Sequence, residues 1–201
     1  MSRLAIADPP YPPQLAERRD RVDGPLRITT RSRARRWYGD GTRPADETPA
    51  DFHPAAGEWD DPARHRALLE QLHDEFDGWA IATSPDGLEV YRPLPLSCRV
   101  MAWIKPNSIP GGHRLKSTWE PVIVRVPESR QNRRGGQVND TLIAGTPYGR
   151  RFAGAKPDAW THWVLDALGY DPDEDSVVDM FPGSGAVTAA ISRMPIPIDQ
   201  L

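Results

Sequence analysis

The apolar positions of this chain follow two periods, and these lay out its regular elements. Residues 3–7 (RLAIA) read as a short buried strand. WAIATS (79–84), CRVMAWIKP (98–106) and TWEPVIVRV (118–126) carry the apolar and β-branched residues that strands favour. Between the first two, DDPARHRALLEQLHDEFDGW starts as a helix should. Asp60 or Asp61 can cap it, Pro62 suits the first turn, and Leu68, Leu69, Leu72 and Phe76 recur at helical spacing. Near the other end, the pattern predicts a helix over 158–168, a strand over 176–180, a glycine loop, and a helix over 185–193. Strands separated by helices predict an α/β fold with a mostly parallel sheet.

The intervening segments are polar. Residues 17–43 form a basic, turn-rich stretch, with eight arginines between 18 and 36 set against Asp20 and Asp23. Residues 44–61 are acidic and proline-rich, so 17–60 reads as a basic and then acidic loop insertion within a single domain spanning 1–201. Regions 107–117 and 127–153, rich in Gly, Pro, Asn and Arg, also read as loops. Composition agrees with a modest core carrying long irregular segments: 38% of residues are hydrophobic and 22 are proline. The net charge of −3 excludes polyanion binding by bulk charge and leaves the local distribution to decide. Cys98 is the only cysteine, so an internal disulfide is impossible and a reducing compartment is expected. The five histidines show no metal-ligand spacing with cysteine, and no metal site is expected. No signal peptide or 18-residue apolar span is visible, so a soluble cytoplasmic protein is expected.

Two short motifs carry chemistry. In SVVDMFPGSGAVTAA (176–190) an apolar strand ends in Asp179, glycines follow at 183 and 185, and a helix begins. Glycine lets a ligand approach the backbone, and a helix start offers unpaired N–H groups to an anion. No Lys-Ser/Thr pair follows Gly185, which argues against a P-loop, and Thr188 stands where a dinucleotide fingerprint has its third glycine. A tight strand-to-helix turn remains open. The second motif, Asp8-Pro9-Pro10-Tyr11, follows the first strand directly and reads either as a stiff turn or as a site.

Taken together, Asp8-Pro9-Pro10-Tyr11 and Asp179-Met180-Phe181-Pro182-Gly183-Ser184-Gly185 resemble the motif pair of DNA amino-methyltransferases. The tetrapeptide precedes the glycine loop, which is similar to the permuted, beta-class order. Lys156-Pro157, opening a helix before the glycine loop, resembles a third element of that class. AWIKP and STWEPVIV are similar to strands of small phage-type N6-adenine methyltransferases. The resemblance implies a Rossmann-like, circularly permuted fold, S-adenosylmethionine as cofactor, and transfer of its methyl group to the exocyclic N6 amine of adenine in double-stranded DNA after base flipping. It implies a catalytic set of Asp8, Pro9, Pro10 and Tyr11, with Asp8 and the Pro9 carbonyl accepting the amine protons and Tyr11 stacking on the base. Cofactor binding would fall to Asp8, Lys156, Pro157, Asp179, Phe181, Gly183, Ser184 and Gly185.

Arg18, Arg19, Arg31, Arg33, Arg35, Arg36 and Trp37 follow Tyr11 closely and are the candidate DNA contacts, with looser clusters at Arg125, Arg130, Arg133, Arg134, Arg150 and Arg151. Loops 107–117 and 127–153 are candidates for target recognition. The chain departs from the family pattern after Gly185, where SRMPIPIDQL leaves no room for further strands and Asp199 is the last acid. The fold is therefore expected to lack its last strands, and a homodimer that completes the pocket is one expectation. A catalytically reduced DNA- or partner-binding module and an N4-cytosine or RNA amine methyltransferase are the alternatives. Methylation of a protein glutamine fits less well, since such enzymes start the tetrapeptide with Asn and place it after the glycine loop.

Overall fold

A computed structural model describes residues 1–19, 26–38, 55–108, 114–132, 136–147, 155–183 and 185–193. Its centre is a six-stranded sheet in the order β7-β5-β6-β4-β1-β8. These strands are β1 (Arg3–Ala7), β4 (Gly78–Ala82), β5 (Cys98–Ile104), β6 (Trp119–Arg125), β7 (Thr141–Ile143) and β8 (Ser176–Asp179). β1 pairs in parallel with β4 and β8, and β5 with β7, while β6 runs antiparallel to both β4 and β5. The sheet is thus parallel except for β6.

Side-chain alternation sorts the core into two layers. Leu4, Ile6, Ala80, Ala82, Val122 and Val124 face α3 (Asp158–Leu168) and α4 (Ala186–Ile191), meeting Trp160, Val164, Leu165, Leu168 and Val187. Ala5, Ala7, Trp79, Ile81 and Ile123 face α2 (Pro62–Glu75), meeting Leu68, Leu69, Leu72 and Phe76. Strands covered on both faces must be apolar at every position, which is why β1 and β4 read as unbroken runs. Asp61 caps α2, its side chain accepting from the Ala63 amide at 2.9 Å, and Pro62 opens the first turn. Gly169 ends α3 in the left-handed conformation (φ 65°).

The insertion departs from the expectation of irregular loop. β2 (Gln14–Arg19) and β3 (Leu26–Arg31) form an antiparallel ribbon, α1 (Arg33–Tyr38) follows it, and a 3-10 turn spans Ala56–Asp60. Leu15 and residues 27–31 of this ribbon are exposed, and the arginines along it read as loop. Within 127–153, β7 and a 3-10 turn at Glu128–Arg130 replace part of the expected loop. β7 has only three residues, too few to show a period. The final helix is shorter than 185–193, running from Ala186 to Ile191. Ser184, Asp199, the acidic segment 44–54, and Arg133, Arg134, Arg150 and Arg151 lie outside the described residues.

Candidate active site at the carboxyl edge of the sheet

Parallel strands end together, and this places the two sequence motifs side by side. Ile6 is in register with Asp179, and the Met180 amide donates to the Ile6 carbonyl at 2.9 Å. Asp8 and the glycine loop therefore lie on neighbouring strand ends, although they are near opposite ends of the chain. The chain reaches β4 from β1 by way of α2 on one face, and reaches β8 by way of α3 on the other. Open α/β sheets take their ligands at the carboxyl edge beside such a reversal.

A charged cluster occupies this edge. Lys156, just before α3, donates from Nζ to both Asp8 carboxylate oxygens at 2.7 and 2.6 Å and to the Tyr11 hydroxyl at 3.2 Å. The Tyr11 hydroxyl donates to Glu120 Oε2 at 2.6 Å, and Lys105 Nζ donates to Glu120 Oε1 at 2.5 Å. Lys156 also lies 3.8 Å from Glu120 Oε2. Two lysines face two carboxylates, so the group can be buried without net charge. The Lys156 ammonium further sits among the rings of Tyr11, Trp103 and Trp160, at 5.4, 5.9 and 5.6 Å from their centroids.

The two carboxylates differ in acidity. Burial raises Asp8 above the ordinary aspartate range; Lys156 pulls it down without cancelling that effect, and the Glu120 charge pushes it further up. Burial acts on Glu120 in the same direction, but there Lys156 and Lys105 together outweigh it and hold the group below its ordinary value. Tyr11 is pushed well above the usual phenol range by burial and by the charges of Glu120 and Asp8, so its hydroxyl stays protonated and can donate.

The glycine loop has open space beside Gly185. Gly183 and Gly185 have φ of 42° and 72°, which disfavour any residue with a side chain, and nothing lies within 4 Å of a Cβ built at Gly185. Asp179 accepts from the Phe181 amide through Oδ1 at 3.2 Å, while its buried Oδ2 has no hydrogen-bond partner among the described residues. Burial raises the Asp179 carboxyl, the Phe181 amide partly offsets this, and the Asp8 charge adds to the rise. Phe181 packs edge-on against Trp59 with centroids 5.0 Å apart, and Trp59 packs the same way against His65 at 5.2 Å. The fully buried His65 accepts from the Tyr91 hydroxyl at Nδ1 (2.8 Å). Its Nε2 donates to the Trp59 carbonyl (2.9 Å), a tautomer fixed because a carbonyl can only accept.

Among the candidate residues, Asp8, Tyr11, Lys156, Asp179, Phe181, Gly183 and Gly185 share this edge. Pro9 and Pro10 are buried beside Asp8, and Pro157 caps α3 next to Lys156. Of the candidate DNA contacts, Arg31 and Arg35 are exposed, and Arg18, Arg19, Arg36 and Trp37 fall on β2 and α1. Arg33 is committed internally. Its guanidinium holds Asp86 through two bonds of 3.0 and 2.8 Å, Ser84 Oγ at 2.7 Å and the Pro12 carbonyl at 3.1 Å, which anchors α1 beside the tetrapeptide. Arg125 and Arg130 lie at the opposite edge, bound to backbone carbonyls and to Asp175. A cleft of about 650 Å3 at that edge, lined in part by Ser2, Asp77, Arg125 and Glu128, contains none of the clustered groups.

Lys105, Glu120, Trp59 and His65 escaped the sequence reading. Glu120 and Lys105 left one trace, a charge at the end of an otherwise apolar strand. The two candidate recognition loops meet at Asn107, whose Nδ2 donates to the Thr146 carbonyl at 2.9 Å and whose Oδ1 accepts from the Thr146 amide at 2.8 Å. Among the described residues no group of three or more His, Cys, Asp or Glu side chains is placed to hold a metal ion, and no helix is long and apolar enough to cross a membrane. No protein-family model matches the chain, and no curated protein matches it.

Proposed function

We propose that the protein transfers a methyl group from S-adenosylmethionine to the exocyclic N6 amine of adenine in DNA. The observation that carries this reading is the adjacency of Asp8 and the Asp179–Gly185 loop on neighbouring parallel strands. It puts a candidate acceptor for the amine next to a candidate cofactor loop. The residues fit the cofactor on two counts. The glycine backbone leaves room for a ligand to approach, and the orphaned Asp179 Oδ2 is an acceptor in need of a donor, which the cofactor's ammonium and hydroxyl groups can supply.

S-adenosylmethionine supplies an electrophilic methyl group on sulfur. The residues of this chain hold and orient the nucleophile. A carboxylate offers about four lone-pair positions, and Lys156 uses two on Asp8, so the amine can donate to the remainder without expelling the lysine. The Pro9 carbonyl, with φ fixed by its ring, is the second acceptor. Hydrogen bonds accepted from both amine hydrogens would orient the nitrogen lone pair for attack, and the Asp8 carboxylate would take the proton the amine must lose, which is proximity, electrostatic and general-base catalysis. Glu120 and Lys156 fix the Tyr11 hydroxyl and so set the ring plane against which a flipped base would stack. Phe181, steadied by Trp59, offers an aromatic face at the cofactor loop.

Calorimetry with S-adenosylmethionine, followed by labelled methyl transfer to DNA with Asp8→Ala as control, tests the reading. Cofactor binding with activity abolished by Asp8→Ala is expected. No binding at millimolar cofactor would leave a DNA- or partner-binding module. Activity that survives Asp8→Ala would remove Asp8 from the catalytic role.

A further inference from the structure

The β2–β3 ribbon has two unlike faces. Cross-strand partners share a face. The register pairs Gln14 with Arg31, Ala16 with Thr29 and Arg18 with Arg27 on one face. It pairs Leu15 with Thr30, Glu17 with Ile28 and Arg19 with Leu26 on the other. The first face is polar and basic, and the second sets Leu15 and Ile28 beside Thr30 and the register positions of Glu17 and Arg19. An amphipathic ribbon ordinarily packs its apolar face on the core, yet Leu15 is 67% and Ile28 69% exposed. Exposed apolar side chains that are diagonal neighbours on a regular element, as Leu15 and Ile28 are, mark a contact surface.

Charge selects the partner. The ribbon QLAERR/LRITTR carries four arginines and one glutamate in a chain of net charge −3. Four arginines against one glutamate leave the ribbon with a local charge of +3, which is complementary to a polyanion. The ribbon begins three residues after Tyr11, and Arg33 pins its base by bonds to Pro12, Ser84 and Asp86. Six residues per strand reach about 20 Å, and two paired strands fit a groove about 12 Å wide.

We propose that this ribbon is an arm that enters a groove of the duplex beside the target adenine. The face bearing Arg27 and Arg31 meets phosphates, and Leu15 and Ile28 meet base and sugar edges. The proposal rests on the methyltransferase reading and adds a surface of defined polarity to it.

The test measures affinity for a 20-base-pair duplex by fluorescence anisotropy across salt concentrations. Leu15→Thr/Ile28→Thr puts a strand-favouring β-branched residue at both positions, and circular dichroism with cofactor titration verifies its fold. It should weaken duplex binding about tenfold at fixed salt and leave the salt slope unchanged, since no phosphate contact is lost. Arg27→Gln/Arg31→Gln should lower the slope of log K against log salt by about 1.8, from two phosphates at about 0.9 each. If wild-type protein methylates DNA while both pairs bind as wild type does, the arm is refuted and the catalytic reading stands. Loss of a wild-type dimer in the Leu15/Ile28 pair with unchanged DNA binding would make the face a self-interface, also refuting it. Wild-type protein that neither binds cofactor nor methylates DNA refutes the underlying reading itself.

Discussion

Replacing Lys156 by Met isolates the interaction on which the candidate site turns. The Lys156 side chain is 4% exposed, its ammonium lies within 2.7 Å of both Asp8 oxygens, and the Asp8 side chain is 24% exposed. Methionine preserves most of the aliphatic volume against Trp103 and Trp160, so the perturbation is chiefly the loss of charge. Removing one partner of a buried pair costs about 3–5 kcal/mol, because the other charge stays behind uncompensated. Asp8 retains some access to water, which favours the lower end, about 3 kcal/mol. With a urea slope of about 2.5 kcal/mol/M for a chain of this size, the midpoint should fall by about 1.2 M. The loss should depend on pH. Burial already raises Asp8 above 3.8, and without Lys156 it rises further. A carboxyl with a raised folded value binds its proton more tightly when folded; its stabilising effect is full below 3.8 and is lost as pH rises through the folded value. The variant should therefore recover part of its stability as pH falls from neutral towards 3.8. Adding Asp8→Asn should restore most of the rest, since the orphaned charge is then gone. A loss under about 1 kcal/mol that is flat with pH, or a double variant no more stable than the single one, would refute a closed, buried pair.

Three further outcomes follow from the geometry. On the proposed reading, Trp59→Ala removes the edge-on support of Phe181, and an aromatic pair worth about 0.5–1.5 kcal/mol corresponds to about 2- to 10-fold weaker S-adenosylmethionine binding by calorimetry; unchanged affinity would remove Trp59 from the proposed cofactor site. In Gly87→Ala the new Cβ would meet Thr83 Oγ1 at 2.5 Å and Ser84 Oγ at 2.8 Å, so thermal unfolding should show a loss of about 1–3 kcal/mol and a disturbed Arg33 anchor. Asp175, where bonds from Arg130 and the Asp171 and Ser2 amides outweigh burial, has its carboxyl held down at about 2. Its contribution is present above 3.8 and lost as pH falls towards about 2, so Asp175→Asn should flatten the acid limb of the stability profile.

The strands buried on both faces were legible because each needs an apolar side chain at every position. RLAIA gave β1 residue for residue, and the capped run from Pro62 gave α2. The helix at 158–168 was equally plain, with Trp160, Val164, Leu165 and Leu168 on its buried side. The ribbon was not legible, because a solvated element is under no pressure to alternate and its arginines read as loop. Arg33 shows the same limit. In sequence it is one basic residue among eight, and only packing against Ser84 and Asp86 makes it an anchor.

For the candidate site, local sequence sufficed to single out Asp8-Pro9-Pro10-Tyr11 and the Asp179–Gly185 loop as candidates, because restricted backbone and glycine openness are encoded residue by residue. Their adjacency was not local information. It depends on β1 and β8 pairing in parallel across nearly the whole chain, and pairing is a property of the folded sheet. The charged cluster is further still from the sequence: Tyr11, Lys105, Glu120 and Lys156 come from four segments that meet only at one sheet edge. Composition could supply the two lysines and two carboxylates. Only the tertiary structure decided that they neutralise one another there, because burial makes an unpaired charge too costly to leave in place.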